Sequence, residues 1–158
     1  MAKKHILTFV STDPVSKLER FAEEVSNYYH LDDTYFGNVI ICLDTLRGYC
    51  QKGYREESWE LTIHVRSARE GLVFSIQDRG GVISASMVPE CISVDLLDRE
   101  GGEFLFTLGT LSDYFRANTT TREVELVFST HSMHRELSLK RAELLKEYFQ
   151  SDLVIKKM

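Results

Sequence analysis

Proline is scarce: Pro14 and Pro89 are the only two. With no internal repeat and no low-complexity stretch, nothing marks an inter-domain linker. Cysteine is scarce too. Cys42, Cys50 and Cys91 make an odd count, and none falls in a C-x-x-C pair. That spacing suggests neither a disulfide framework nor a zinc site. Cys42 and Cys50 read as small buried apolar residues in a reducing cytoplasm. No apolar run approaches the ~20 residues of a membrane span. The opening MAKKHILTFVSTD has a basic tip, but its apolar run is too short for a signal peptide. A basic patch is also missing. The net charge is −5, and the basic clusters are Lys3-Lys4 and Lys156-Lys157 at the ends, which argues against nucleic acid as a partner. No Gly-x-Ser-x-Gly or Cys–His pattern supports nucleophilic catalysis. His131 and His134 form H-x-x-H without an evident third ligand nearby, so no metal site is expected.

What remains is an ordinary globular composition, 43% apolar and 27% charged over 158 residues, long enough for one domain with a single core. Residues 5–10, HILTFV, are β-rich and read as a first strand. Pro14 then stands near a helix start. In 15–29 the apolar Val15, Leu18, Phe21, Ala22, Val25 and Tyr29 recur at helical spacing, with Lys17, Glu19, Arg20, Glu23 and Glu24 outward. A second helix is expected from Asp32-Asp33, which can cap it, through TYFGNVIICLDTLRGYCQKGY. Its VIICL centre is apolar nearly all round and predicts burial on most sides. Gly48 within it implies close packing or a former functional position.

After Gly53 the period becomes two. SWELTIHVRS (58–67) turns Trp59, Leu61, Ile63 and Val65 inward, Ala68 to Gly71 make the turn, and LVFSIQD (72–78) returns as an antiparallel hairpin. Residues 79–102 lack periodicity, and a connection that long suggests a lid or a short helix. EFLFTLGTLSDYF (103–115) reads as a helix leading into a strand near 113–118, and TREVELVFS (121–129) as another strand. RELSLKRAELLKEYFQ (135–150) is amphipathic, with Leu137, Ala142, Leu145 and Phe149 on one side. The expected fold is an α/β (α+β) two-layer sandwich: a mixed, mostly antiparallel sheet with helices on one face. It is one domain over 1–158, with a core of about 5–129 and a closing helix.

Strand, helix and long apolar helix YFGNVIICLD, the hairpin ending IQDRGG, the segment GGEFLFTLGTLSD, and the closing strands DYFRAN and TREVELVF follow in a telling order. Together they resemble the histidine-kinase-type ATPases of the GHKL (Bergerat-fold) superfamily, and most closely the bacterial anti-sigma-factor and serine-kinase branch. No single motif is strong alone; order and spacing over residues 5–129 carry the resemblance.

The resemblance assigns roles position by position. The family's long helix bears a Glu, then an Asn that holds Mg²⁺, then His-Gly. Here those positions are Asp44, Gly48 and Lys52-Gly53. Gly48 has no side chain to offer magnesium, which needs oxygen ligands. Asp44 retains a carboxylate that would orient a water. The family's Asp-x-Gly-x-Gly box becomes Asp78-Arg79-Gly80-Gly81-Val82. Its aspartate accepts from the adenine amine, a task suited to an acceptor-only carboxylate. The phosphate-cradling Gly-x-Gly-Leu becomes Gly102-Glu103-Phe104-Leu105. Phe104 there would block the backbone's approach to phosphate, and Glu103 would repel it.

The resemblance therefore implies a regulatory protein of the anti-sigma-factor type with an eroded nucleotide site. ATP or ADP would bind weakly or not at all, through Asp78, Gly80 and Gly102, and Mg²⁺ finds no support. The partner would be a protein, a sigma factor or a phosphorylatable antagonist domain. The closing helix packs on its own domain or serves a partner or a homodimer. The alternative is an ATP-binding serine/threonine protein kinase with a variant site using Asp44, Asp78, Gly80 and Gly102. A structural domain whose binding surface lies elsewhere is a third reading.

Overall fold

A computed structural model of the chain describes residues 5–55 and 57–129. Eight elements run in the order β1 (His5–Val10), α1 (Val15–Tyr29), α2 (Asp33–Tyr54), β2 (Glu60–Ala68), β3 (Gly71–Asp78), α3 (Gly102–Leu111), β4 (Tyr114–Asn118) and β5 (Glu123–Phe128). Two short 3₁₀ turns, Ala85–Met87 and Val94–Asp98, punctuate the long connection between β3 and α3. The fold is α+β. The expected mixed sheet is antiparallel throughout, with spatial order β1-β2-β3-β5-β4. The last hairpin therefore places its second strand inside, between β3 and β4. The amphipathic segment 135–150 and the pair His131 and His134 lie outside the described residues.

Alternation along the strands sets one face against the helices. Leu7 and Phe9 of β1, Leu61, Ile63 and Val65 of β2, Leu72, Phe74 and Ile76 of β3, and Val124, Leu126 and Phe128 of β5 share one buried core. Register brings Ile63 opposite Ile76 and Phe74 opposite Leu126, so apolar side chains meet directly across strands. Helix α1 contributes Leu18, Phe21, Ala22 and Val25, as its spacing predicts. Helix α2 is capped by Asp32, whose carboxylate accepts from the Tyr35 amide at 2.9 Å, satisfying a donor that the helix itself leaves unpaired. Tyr35 also ties α2 to the end of β5: its hydroxyl donates to the Ser129 carbonyl at 3.0 Å, while the Ser129 amide donates to Asp113 at 2.6 Å.

Burial of α2 is one-sided, not the all-round burial that VIICL predicts. Val39, Cys42, Leu43, Leu46 and Cys50 face the core, whereas Ile41 is exposed. Gly48 also differs from expectation. A Cβ built on it meets no atom within 4 Å, so close packing does not explain it. Gly48→Ala is therefore expected to stabilise the chain by about 1 kcal/mol through helix propensity alone. Urea unfolding would measure the gain; a loss of stability would overturn this reading of the position.

Candidate functional site

Asp78 closes β3 where the sheet meets the last turn of α2, and its carboxylate is engaged by its own chain. The Tyr54 hydroxyl donates to Oδ1 at 2.5 Å, the Gly80 amide donates to Oδ1 at 3.2 Å, and the Ile83 amide donates to Oδ2 at 2.9 Å. A carboxylate has about four lone-pair sites, and three are taken. The segment after the turn folds back to make this possible. Burial pushes the Tyr54 hydroxyl up to about 12, reinforced by its hydrogen bond to Asp78, so it remains a protonated donor at neutral pH. Burial likewise pushes the neighbouring Cys50 thiol to about 12, with the Asp78 charge adding to the effect. Cys50 is thus a packed thiol and not a thiolate nucleophile.

Gly80 and Gly53 are small because this fold-back is tight. A Cβ on Gly80 would overlap the Tyr54 hydroxyl, and one on Gly53 would come within 2.5 Å of a Val82 methyl. The long connection then continues inward through Ile83 and Leu96, both buried in the core. This portion packs as part of the protein rather than standing off as a lid.

Gly102 opens α3, preceded by Gly101 in the left-handed region at φ 75°. A Cβ on Gly102 would overlap the Leu96 carbonyl oxygen, so the position is closed by the chain's own backbone. Phe104, two residues further along α3, is buried and stacks on Tyr49 of α2, with ring centroids 4.0 Å apart and planes 13° apart. Glu103 between them points to solvent.

Asp44 sits elsewhere. Arg47 grips its Oδ1 through Nε at 3.0 Å and Nη2 at 2.9 Å, and Arg47 also donates to Gln51. Asp44 is on the rim of a groove of about 240 Å³ between α1 and α2, lined also by Val15, Leu18, Ile40 and Ile41. Of the residues singled out by sequence, Asp78 and Gly80 come together, Gly102 instead packs against the Leu96 carbonyl, and Asp44 faces the groove between α1 and α2.

Tyr49 and Tyr54 escape sequence reasoning. Tyr54 reaches Asp78 across 24 positions, and no local spacing announces that contact. Comparison of the chain with known family models, curated proteins and solved structures finds no match.

Proposed function

We propose that this chain is a regulatory, protein-binding domain related to the anti-sigma-factor branch of the GHKL superfamily, in which the nucleotide site has been replaced by internal packing. The observation that carries this reading is the Asp78 carboxylate, held by Tyr54, Gly80 and Ile83. An adenine amine would find three of the carboxylate's roughly four lone-pair sites already taken. The Tyr49–Phe104 stack and the Leu96 carbonyl over Gly102 add support on the phosphate side. The partner surface in this reading is the α1–α2 groove, where Val15 and Ile41 are exposed beside the Asp44–Arg47 ion pair.

Thermal unfolding with ATP, with and without Mg²⁺, tests it. A ligand at one hundred times its Kd stabilises by roughly 2.7 kcal/mol. The expected result at millimolar ATP is no shift in either condition. Asp78→Asn should lower stability by about 1–2 kcal/mol, because the amide turns a donor toward donors. A Mg-dependent stabilisation that Asp78→Asn abolishes would instead favour the serine/threonine kinase. On the partner side, Ile41→Asp should abolish capture of a binding protein while leaving unfolding unchanged. Capture insensitive to that substitution would place the partner surface elsewhere.

A further inference from the structure

Strand β4 is the last of the sheet: β5 lies on one side of it and, among the described residues, no strand lies on the other. In an antiparallel ladder alternate residues turn their N–H and C=O groups toward the partner, and the rest turn theirs away. The outer side of β4 therefore carries main-chain donors and acceptors. The connection between β3 and α3 passes beside it, with the 3₁₀ turn at Ala85–Met87 near the strand. Among the described residues, however, no backbone hydrogen bond joins that connection to β4.

A cavity of about 450 Å³ occupies this side, within the roughly 300–1,000 Å³ usual for binding clefts. Its lining includes Tyr114, Phe115 and Arg116, three consecutive residues of β4. Successive strand side chains point to opposite faces, so a cavity on either face would meet only every second one. Contact with all three places the cavity along the strand's edge. Phe115 packs against the core on the helix side, whereas Arg116 faces the other way, toward Glu70 and Glu125. The far wall is Pro89 to Ile92. Helix α3 fixes Ile92 there, since a Cβ on Gly109 would overlap its side chain. Strand and wall enclose a slot that stays open to solvent, with Tyr114 49% and Ile92 36% exposed.

Charge narrows what fits. Three carboxylates line the slot, those of Glu70, Glu90 and Asp113, against the single guanidinium of Arg116. Arg116 is committed to Glu70 at 3.1 Å and Glu125 at 2.8 Å. Glu90 is exposed and forms no ion pair among the described residues. A second copy of this edge would bring the same excess of negative charge and be repelled. We infer that the outer edge of β4 is a docking site for an extended basic segment of another protein, which adds to the sheet as a further strand. The period of two sorts that segment's side chains. Apolar ones fall on the helix side against Phe115 and Ile92, and basic ones on the other side toward Glu70. The slot shares no residue with the α1–α2 groove, and the inference stands whether or not that groove binds a partner.

The probe is a capped peptide alternating lysine and valine over about seven residues, an ordinary strand length. Thiol labelling of the full chain reads its position, because the exposed Cys91 lines the slot while Cys42 and Cys50 are buried. With peptide at about ten times its Kd, Cys91 should label about tenfold more slowly, since only the unbound fraction reacts. The same peptide with its backbone amides N-methylated should give no protection, because strand pairing needs them. Glu90→Lys should weaken binding about fivefold through charge alone. Absence of protection at millimolar peptide would overturn the inference. Equal protection by the N-methylated peptide would also overturn it, leaving charge attraction without strand addition. Unchanged affinity in Glu90→Lys would overturn the basic character assigned to the partner. Protection of Cys91 that rises with protein concentration in the absence of peptide would assign the edge to a second copy of the chain instead.

Discussion

Alanine at Gly102 is expected to lower the stability of the folded chain by about 3 kcal/mol or more. The added methyl would overlap the Leu96 carbonyl oxygen, lie 2.5 Å from its carbonyl carbon and 3.3 Å from the Leu97 nitrogen. These are backbone atoms, so no side chain can swing aside. Relief requires moving the 3₁₀ turn at Val94–Asp98 or the start of α3, and both carry buried core residues, Leu96 and Leu105. The measurement is urea unfolding with unchanged m-value. A loss below about 1 kcal/mol would mean that the closure over Gly102 yields easily. The same substitution also separates two meanings of a glycine at a helix start. A glycine needed for phosphate to approach would show its loss in ligand affinity. A glycine needed for the chain to pack on itself shows it in folding.

Removing the Glu125 carboxylate is the second large effect. Its Oε1 accepts from Arg116 at 2.8 Å, and its Oε2 accepts from Arg66 at 3.0 Å, Ser75 at 3.2 Å and Asn118 at 3.4 Å. Breaking a buried pair by deleting one partner costs about 3–5 kcal/mol. Arg66 and Arg116 are half- to one-third exposed and can turn toward water, which puts Glu125→Ala at the low end, about 3 kcal/mol. A loss under about 1 kcal/mol would reduce the cluster to an ordinary surface pair. The pH dependence gives an independent check. Burial raises the carboxyl's pKa, but the hydrogen bonds from Arg116, Arg66 and Asn118 outweigh it and hold the group below its ordinary 4.5. The folded form thus binds the proton less readily than the unfolded form. The stabilisation is complete above pH 4.5 and disappears as pH falls through the depressed folded value. In Glu125→Gln the acid limb of the stability curve should be flatter than in the parent chain; an unchanged limb would contradict the assignment.

Period-two alternation made the β2–β3 hairpin legible, because Leu61, Ile63 and Val65 had to share a face. Helical spacing located α1, and the aspartates before α2 identified its cap correctly. Pattern could not reveal how α2 would be rotated against its neighbours. An all-apolar VIICL looks equally buried on every side, and only packing left Ile41 outside. The antiparallel order was hidden for a similar reason: strand direction is set by connections, not by composition. At the site, the turn after Asp78 was visible as an Asp followed by two glycines. What fills the surrounding space was not, since Tyr54, Ile83 and Leu96 come from segments whose meeting no short-range spacing encodes. Gly48 illustrates the opposite limit. Its place in the helix was legible, and its neighbourhood is open.

The placement of β5 between β3 and β4 also governs the order in which the molecule can be assembled during synthesis. Leu72 of β3 waits for Phe128, 56 residues later by their numbers, before that edge is paired. Until β5 leaves the ribosome, Leu72 to Ile76 present unpaired amides and carbonyls beside large apolar side chains, the kind of edge that recruits other chains. A nascent chain ending after α3 has α1, α2, α3 and the first three strands but an open flank. Solubility of the growing polypeptide therefore hinges on β5 arriving promptly, and a premature stop before residue 123 would release a product prone to aggregate.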